Sequence, residues 1–102
     1  MSGYIIYHYN ILDQDRIEEL GPLSKPIIAK YGGEIVVGSG VRALEGEPYS
    51  NMVIYQFNSM DAARAFYESK EVQQLSKLRH SITEGVVVFV PGFSLTQSQS
   101  DE

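Results

Sequence analysis

The chain has 102 residues, 43% of them hydrophobic and 21% charged, with no cysteine, no tryptophan and a formal net charge of −5. That length suits a single core, and the composition is that of a folded globular protein rather than a disordered chain. Without cysteine, a disulfide scaffold, a thiolate metal site, an iron–sulfur centre and a cysteine nucleophile are excluded, and the acidic balance argues against nucleic acid as a partner.

Residues 3–11 (GYIIYHYNI) are rich in β-branched and aromatic side chains and read as a first strand. From 13 to 31 the spacing turns helical, with Ile17, Leu20, Leu23 or Ser24, Ile27 and Tyr31 on one stripe. Asp13 is placed to cap its start, and Gly32-Gly33 supplies a permissive stop. Pro22 and Pro26 each remove an amide donor, which predicts a kinked helix or two short helices meeting near Gly21-Pro22. A second strand follows at 34–41, then a turn-rich stretch from Leu44 to Asn51, and a third strand at 52–57. Ser59 caps a helix carrying Ala62, Ala63, Ala65, Phe66 and Tyr67, and a break near Ser69-Lys70 leads into another helical stretch over 70–81. Val86 to Val90 form the last strand, closed by Pro91-Gly92. The tail 94–102 (SLTQSQSDE) is polar and expected to fray, leaving 1–93 as one domain. Neither a long apolar run nor a basic, apolar leader is present, so no membrane partner is expected and a cytoplasmic location is.

The order β-α-β-β-α-β is that of the ferredoxin-like α+β fold, a four-stranded antiparallel sheet with helices on one face. In a solitary chain such a sheet alternates, apolar toward the helices and polar toward water. This one does not. Strand one offers Ile5, Tyr7, Tyr9 and Ile11 on one face and Tyr4, Ile6, His8 and Asn10 on the other. Strand three offers Val53, Tyr55 and Phe57 against Met52, Ile54 and Gln56, and the last strand sets Val86, Val88 and Val90 opposite Val87 and Phe89. Helices can cover one face only. The simplest cover for the other is a second copy of the same sheet across a two-fold axis, which predicts a homodimer.

Several segments occur together in a recognisable order: Gly3-Tyr4-Ile5-Ile6, the run from Pro26 to Gly33, Leu44-Glu45-Gly46, and Phe57-Asn58-Ser59 followed by Ala62-Ala63, Phe66-Tyr67, Ser69, Glu71, Gln73 and Arg79. Over residues 3–91 the chain resembles a bacterial domain-of-unknown-function family of the dimeric α/β-barrel superfamily, the group related to antibiotic-biosynthesis monooxygenases. The resemblance implies ferredoxin-like protomers whose sheets pair into a dimeric barrel. It also implies, for any turnover, cofactor-independent oxygenation or isomerisation of an activated organic substrate. Two positions depart from the family pattern. Gly38-Ser39-Gly40 stands where Arg-Gly-Gly is common, removing a bidentate anion donor, and Lys70 replaces a usual proline.

Five residues are candidates for a site. His8, on the face assigned to the barrel interior, reads as a general base or ligand contact, or as a hydrogen-bonded histidine buried in the dimer interface; no second catalytic group is fixed beside it, which favours the latter. Asn10 and Gln56 share that face and can orient a polar ligand or pair across the interface. Arg79 can clamp a carboxylate in a pocket or merely complement the end of its helix. Tyr67 can point its hydroxyl into a cleft or serve as core. His8 and Arg79 are the first choices for catalysis.

Other arrangements carry less. Glu45 and Glu47 lack a third ligand for a cation, and the tyrosines lack the interleaved basic residues of an RNA-binding sheet. HExxH, P-loop and GxSxG motifs are absent, as are the paired cysteines of metallochaperones. The segment Asn10-Ile11-Leu12-Asp13 also lacks the cation of an acylphosphatase loop. The expectation is therefore a homodimer binding a small apolar or aromatic compound without metal or cofactor. The alternative is a non-catalytic module with its dimer interface packed shut. A cavity of roughly 300 Å³ or more lined by His8, Asn10 or Gln56 would favour the ligand.

Overall fold

The first strand, β1 (Gly3–Ile11), is followed by Asp13, whose carboxylate accepts the amides of Asp15 and Arg16, each at 3.2 Å, and so starts a single-turn helix, α1 (Gln14–Ile17). In this computed structural model, which describes residues 1–93, the chain then breaks before α2 (Leu20–Lys30). Of the two expected forms, the chain takes two helices rather than one kinked helix, and they meet at Glu18-Glu19, just before Gly21-Pro22. Pro22 occupies the first turn of α2, where amides have no intrahelical acceptor and a missing N–H costs nothing. Pro26 lies inside the helix and is tolerated there. At the other end Gly32 adopts φ +74° and donates to Ala29 at 3.0 Å, while Gly33 donates to Ile28 at 2.9 Å, the two bonds of a Schellman stop.

The chain continues through β2 (Glu34–Gly40), β3 (Asn51–Phe57), α3 (Met60–Glu68), α4 (Lys70–Ile82) and β4 (Thr83–Pro91). Ser59 caps α3 by accepting the Ala62 amide at 3.0 Å. Ser69 forms the corner between α3 and α4, donating its hydroxyl to the Phe66 carbonyl at 2.7 Å and accepting the Val72 amide at 3.2 Å. The last strand is longer than its apolar run suggests. It begins directly at the end of α4, where the Thr83 hydroxyl bonds the Arg79 carbonyl at 2.7 Å, and Thr83 to Pro91 pair with the whole of β1. Gly85, at φ +157°, is required in that ladder because a Cβ there would run into the backbone of His8 and Tyr9. The tail 94–102, expected to fray, lies outside the described residues.

The strands form one antiparallel sheet in the order β2-β3-β1-β4, a ferredoxin-like fold. On the face toward the helices, Ile5 and Phe57 pack with Ala63, Phe66 and Val72 around Ile28 of α2. Phe66 is the hub, its ring 5.0 Å from Phe57, 5.7 Å from Tyr55 and 6.1 Å from Tyr31, centroid to centroid. Of the two alternatives on the helical stripe, Leu23 is exposed and Ser24 turns inward, and the buried residue of α2 is Ile28, which the stripe did not include.

The opposite face carries no helix among the described residues. The strand register lines its side chains into rows that cross the sheet: Val37, Ile54, Ile6 and Val88 in one, and Ser39, Met52, His8 and Val86 in the next. Val37 is 38% exposed, Val88 42% and Val86 46%, so the doubly apolar sheet of the sequence is present as an uncovered apolar layer.

Candidate functional site

The sheet separates the five candidates. His8, Asn10 and Gln56 lie on the uncovered face, each tied to a neighbouring segment of its own chain. The His8 ring nitrogen Nε2 is 3.3 Å from the Tyr49 carbonyl, and its ring stands edge-on to Tyr49 at 5.1 Å. Asn10 accepts the Ser50 amide at 2.8 Å and donates to Glu84 at 3.3 Å, and Gln56 donates to Ser2 at 3.3 Å. Tyr67 faces the other way. It packs against the core and borders a shallow depression of about 170 Å³ with Ile5, Arg64 and Phe89. Arg79, on α4, enters a much larger space.

That space is a cleft of about 580 Å³ between the helices and the sheet. It meets the size expected for a small-molecule site but on the helix side, away from His8, Asn10 and Gln56. Its floor is the helix-facing parity of the strands: Tyr7, Tyr9 and Ile11 of β1, Val53 and Tyr55 of β3, and Gly85 of β4. Its roof is Leu20, Gly21 and Ser24 of α2, and its back wall is Val72, Leu75, Ser76 and Arg79 of α4. The cleft exists because α2 is seated only at its C-terminal half. Ile28 anchors there, and the Lys30 ammonium meets Glu71 of α4 at 2.6 Å, whereas the end bearing Gly21 has no buried side chain. This ion pair holds the Glu71 carboxyl below and the Lys30 ammonium above their usual values.

The polar groups of the cleft converge on its inner end. Arg79 lays its guanidinium over the Tyr7 ring, 5.2 Å from the centroid, and donates to the Ser76 hydroxyl at 3.3 Å. Ser76 is itself buried and bonds the Val72 carbonyl at 3.0 Å, which fixes its oxygen toward the arginine. Tyr7 and Tyr55 are tilted against each other at 5.4 Å. Burial pushes the Tyr7 phenol far above the usual tyrosine value, against the opposing pull of Arg79. Burial raises Tyr55 as well, with Ser24 and Arg79 opposing, and raises Tyr9. These phenols are therefore neutral hydrogen-bond donors over the physiological range.

Chemically the arrangement is an apolar slot with donors at one end. It contains no imidazole, and its carboxylate, Glu18, is exposed at the mouth. Among the described residues, no three His, Asp or Glu side chains gather as a metal site requires. No helix of the described residues is long and apolar enough to cross a membrane. The sequence pointed to Arg79 but not to Tyr7, Tyr9, Tyr55, Ser24 or Ser76. The available signal was the placement of hydroxyls at positions in phase with the core, where Phe or Ala would serve packing alone.

Solved structures of similar fold come from several sources. RPA0582 from Rhodopseudomonas palustris, a protein of unknown function, superposes with a TM-score of 0.72 at 15% identity, over 91% of this chain and 83% of that one. SnoaB from Streptomyces nogalater, a cofactor-independent oxygenase, gives 0.67 at 11% identity over 91% and 94%. A dimeric ferredoxin-like protein of unknown function from Thermobifida fusca gives 0.64 at 13% over 90% and 92%. At these identities the likeness is one of fold. No curated protein matches the sequence. Residues 2–93 match the domain of unknown function DUF1330, and the chain belongs to that family.

Proposed function

We propose that the protein is a cytoplasmic homodimer that binds a small aromatic or otherwise apolar compound in the cleft between helices and sheet. The observation that carries this reading is the cleft itself. At about 580 Å³ it falls within the range of about 300–1,000 Å³ typical of ligand sites, with apolar walls and a few polar groups converging at one end. Two copies pair through the uncovered sheet faces, which removes the rows around Ile54 and Ile6 from water and leaves both clefts open on the outside. The fold shared with a cofactor-independent oxygenase suggests the chemistry any turnover would follow. The protein would then supply shape, exclusion of water and hydrogen bonds from Arg79 and the tyrosines, acting on a substrate that is already activated.

Binding without turnover is the second reading. What favours it is the lining, which offers no histidine and no buried carboxylate as a general base. His8, on the other face, then serves the dimer interface.

Ser24→Phe tests the site. Residue 24 faces the cleft from α2, so a phenylalanine ring there is expected to fill the cavity while leaving the sheet face unchanged. With N-phenyl-1-naphthylamine as probe, amide shifts on binding are expected at Tyr7, Tyr9, Tyr55 and Ser76, and the variant should lose them. Shifts confined to Ile6, His8 and Ile54 would place binding on the other face and overturn the reading.

A further inference from the structure

The cleft holds a charge that apolar walls do not explain. Arg79 is half-buried and lies over Tyr7, and its side-chain hydrogen bonds among the described residues run to the Ser76 hydroxyl at 3.3 Å and the His80 ring nitrogen at 3.4 Å. Both contacts fall on Nη2, one nitrogen of a group with five N–H donors. The ion pairs among the described residues are Arg16–Glu19 and Lys30–Glu71, so neither neutralises Arg79. Glu18 lines the same cleft but stays exposed at its mouth and does not close on the guanidinium. A guanidinium stays charged at every pH a protein meets, and desolvating it without an anion is costly.

The surroundings are arranged for the same sign. Tyr7, Tyr9 and Tyr55 line the cleft as neutral phenols, able to donate to an anionic oxygen. The rest of the lining is mostly hydrocarbon, with Ser24, Asn51, Ser76 and Thr83 as neutral polar groups and Glu18 exposed at the mouth.

We infer that the cleft's ligand is an organic monoanion, an apolar ring body bearing one acidic group such as a carboxylate, which Arg79 receives. This rests on the reading of the cleft as a ligand site and names the class of compound it takes. A neutral hydrocarbon would leave the guanidinium unpaired against it. A multiply charged phosphate would bring more charge than the lining offers, since Arg79 is the lone cation among its described residues. The fork of an arginine matches a planar two-oxygen group, and the stack on Tyr7 fixes that fork in orientation.

Two dyes of nearly the same shape separate charge from shape: 8-anilinonaphthalene-1-sulfonate carries an anion and N-phenyl-1-naphthylamine does not. Fluorescence titration of the full chain is expected to show the anionic dye binding at least about tenfold more tightly, as a charge-assisted bond predicts. Arg79→Gln should remove about that tenfold from the anionic dye and leave the neutral dye within about twofold, and Arg79→Lys should recover part of the loss. Retained binding of the neutral dye shows that the variant is folded with its cleft intact. Equal affinity of the two dyes, or an Arg79→Gln variant weakened equally for both, would overturn the anion assignment while the cleft reading stands. If Ser24→Phe leaves both affinities unchanged, the cleft reading has failed and this inference fails with it.

Discussion

Ile54→Asp strikes the sheet face where pairing of two copies would concentrate its burial. Ile54 stands in register between Ile6 and Val37, with Val88 completing the row across all four strands. In the single chain this position is only half-buried, so the aspartate keeps water and the fold survives with a modest loss. In the paired state the carboxylate of each copy loses that water, with no cation on the row to meet it. Leaving an unpaired charge in an interface costs about 3–5 kcal/mol, and 4 kcal/mol corresponds to about a thousandfold in dissociation constant. Lost burial adds to this, since Val88 alone has 42% of its surface to cover. Sedimentation velocity at micromolar concentration should show the wild type as two chains and Ile54→Asp as one, with circular dichroism reporting a folded monomer. A variant that sediments as the wild-type dimer would refute the sheet-to-sheet assembly.

Two further outcomes follow from the core and the phenols. Phe66→Ala, at a ring 2% exposed and packed on Tyr31, Tyr55 and Phe57, should cost about 3–5 kcal/mol, read from denaturant unfolding. A loss below 1 kcal/mol would mean that this aromatic cluster does not hold α3 to the sheet. Tyr7 has a folded-state pKa raised from 10.0 by burial, so its contribution to stability is complete below pH 10 and fades as pH climbs past it, because the unfolded chain ionises first. Calorimetry across pH 9 to 12 should show that alkaline loss, and Tyr7→Phe should reduce it; an unchanged profile would contradict the burial of this phenol.

The framework was legible because each element is marked locally. Asp13 and Ser59 cap the helices they were expected to cap, and Ser69 breaks the second helical region where Ser69-Lys70 suggested. Apolar side chains at both parities of the strands foretold the uncovered face with its row of Val37, Ile54, Ile6 and Val88. Less was legible where geometry depends on distant partners. Glu84 and Gly85 carry no strand signal of their own and are held in β4 by pairing with β1. The prolines suggested two short helices meeting near Gly21-Pro22; they meet at Glu18-Glu19, because the first turn of α2 accepts Pro22.

The cleft was harder to read than the fold for a specific reason. Strand parity identified which polar side chains leave the core, and so selected His8, Asn10 and Gln56. It could not reveal that α2 is anchored at Ile28 and Lys30 but stands away from the sheet near Gly21, which opens a cavity on the side the pattern assigned to packing. Tyrosines that looked like core thereby became lining. Arg79 was identified from the helix, yet its proximity to Tyr7 depends on how α4 lies across β1 and has no signature in spacing.

Native mass spectrometry of the protein taken from its own host, without refolding or added ligand, tests most directly the claim that two chains pair through bare sheet faces and each holds an organic compound above the sheet. A complex of two chains with a retained small molecule per chain is expected, with loss of that molecule but not of the second chain in Ser24→Phe. A single bare chain, or a small molecule retained equally by Ser24→Phe, would contradict it.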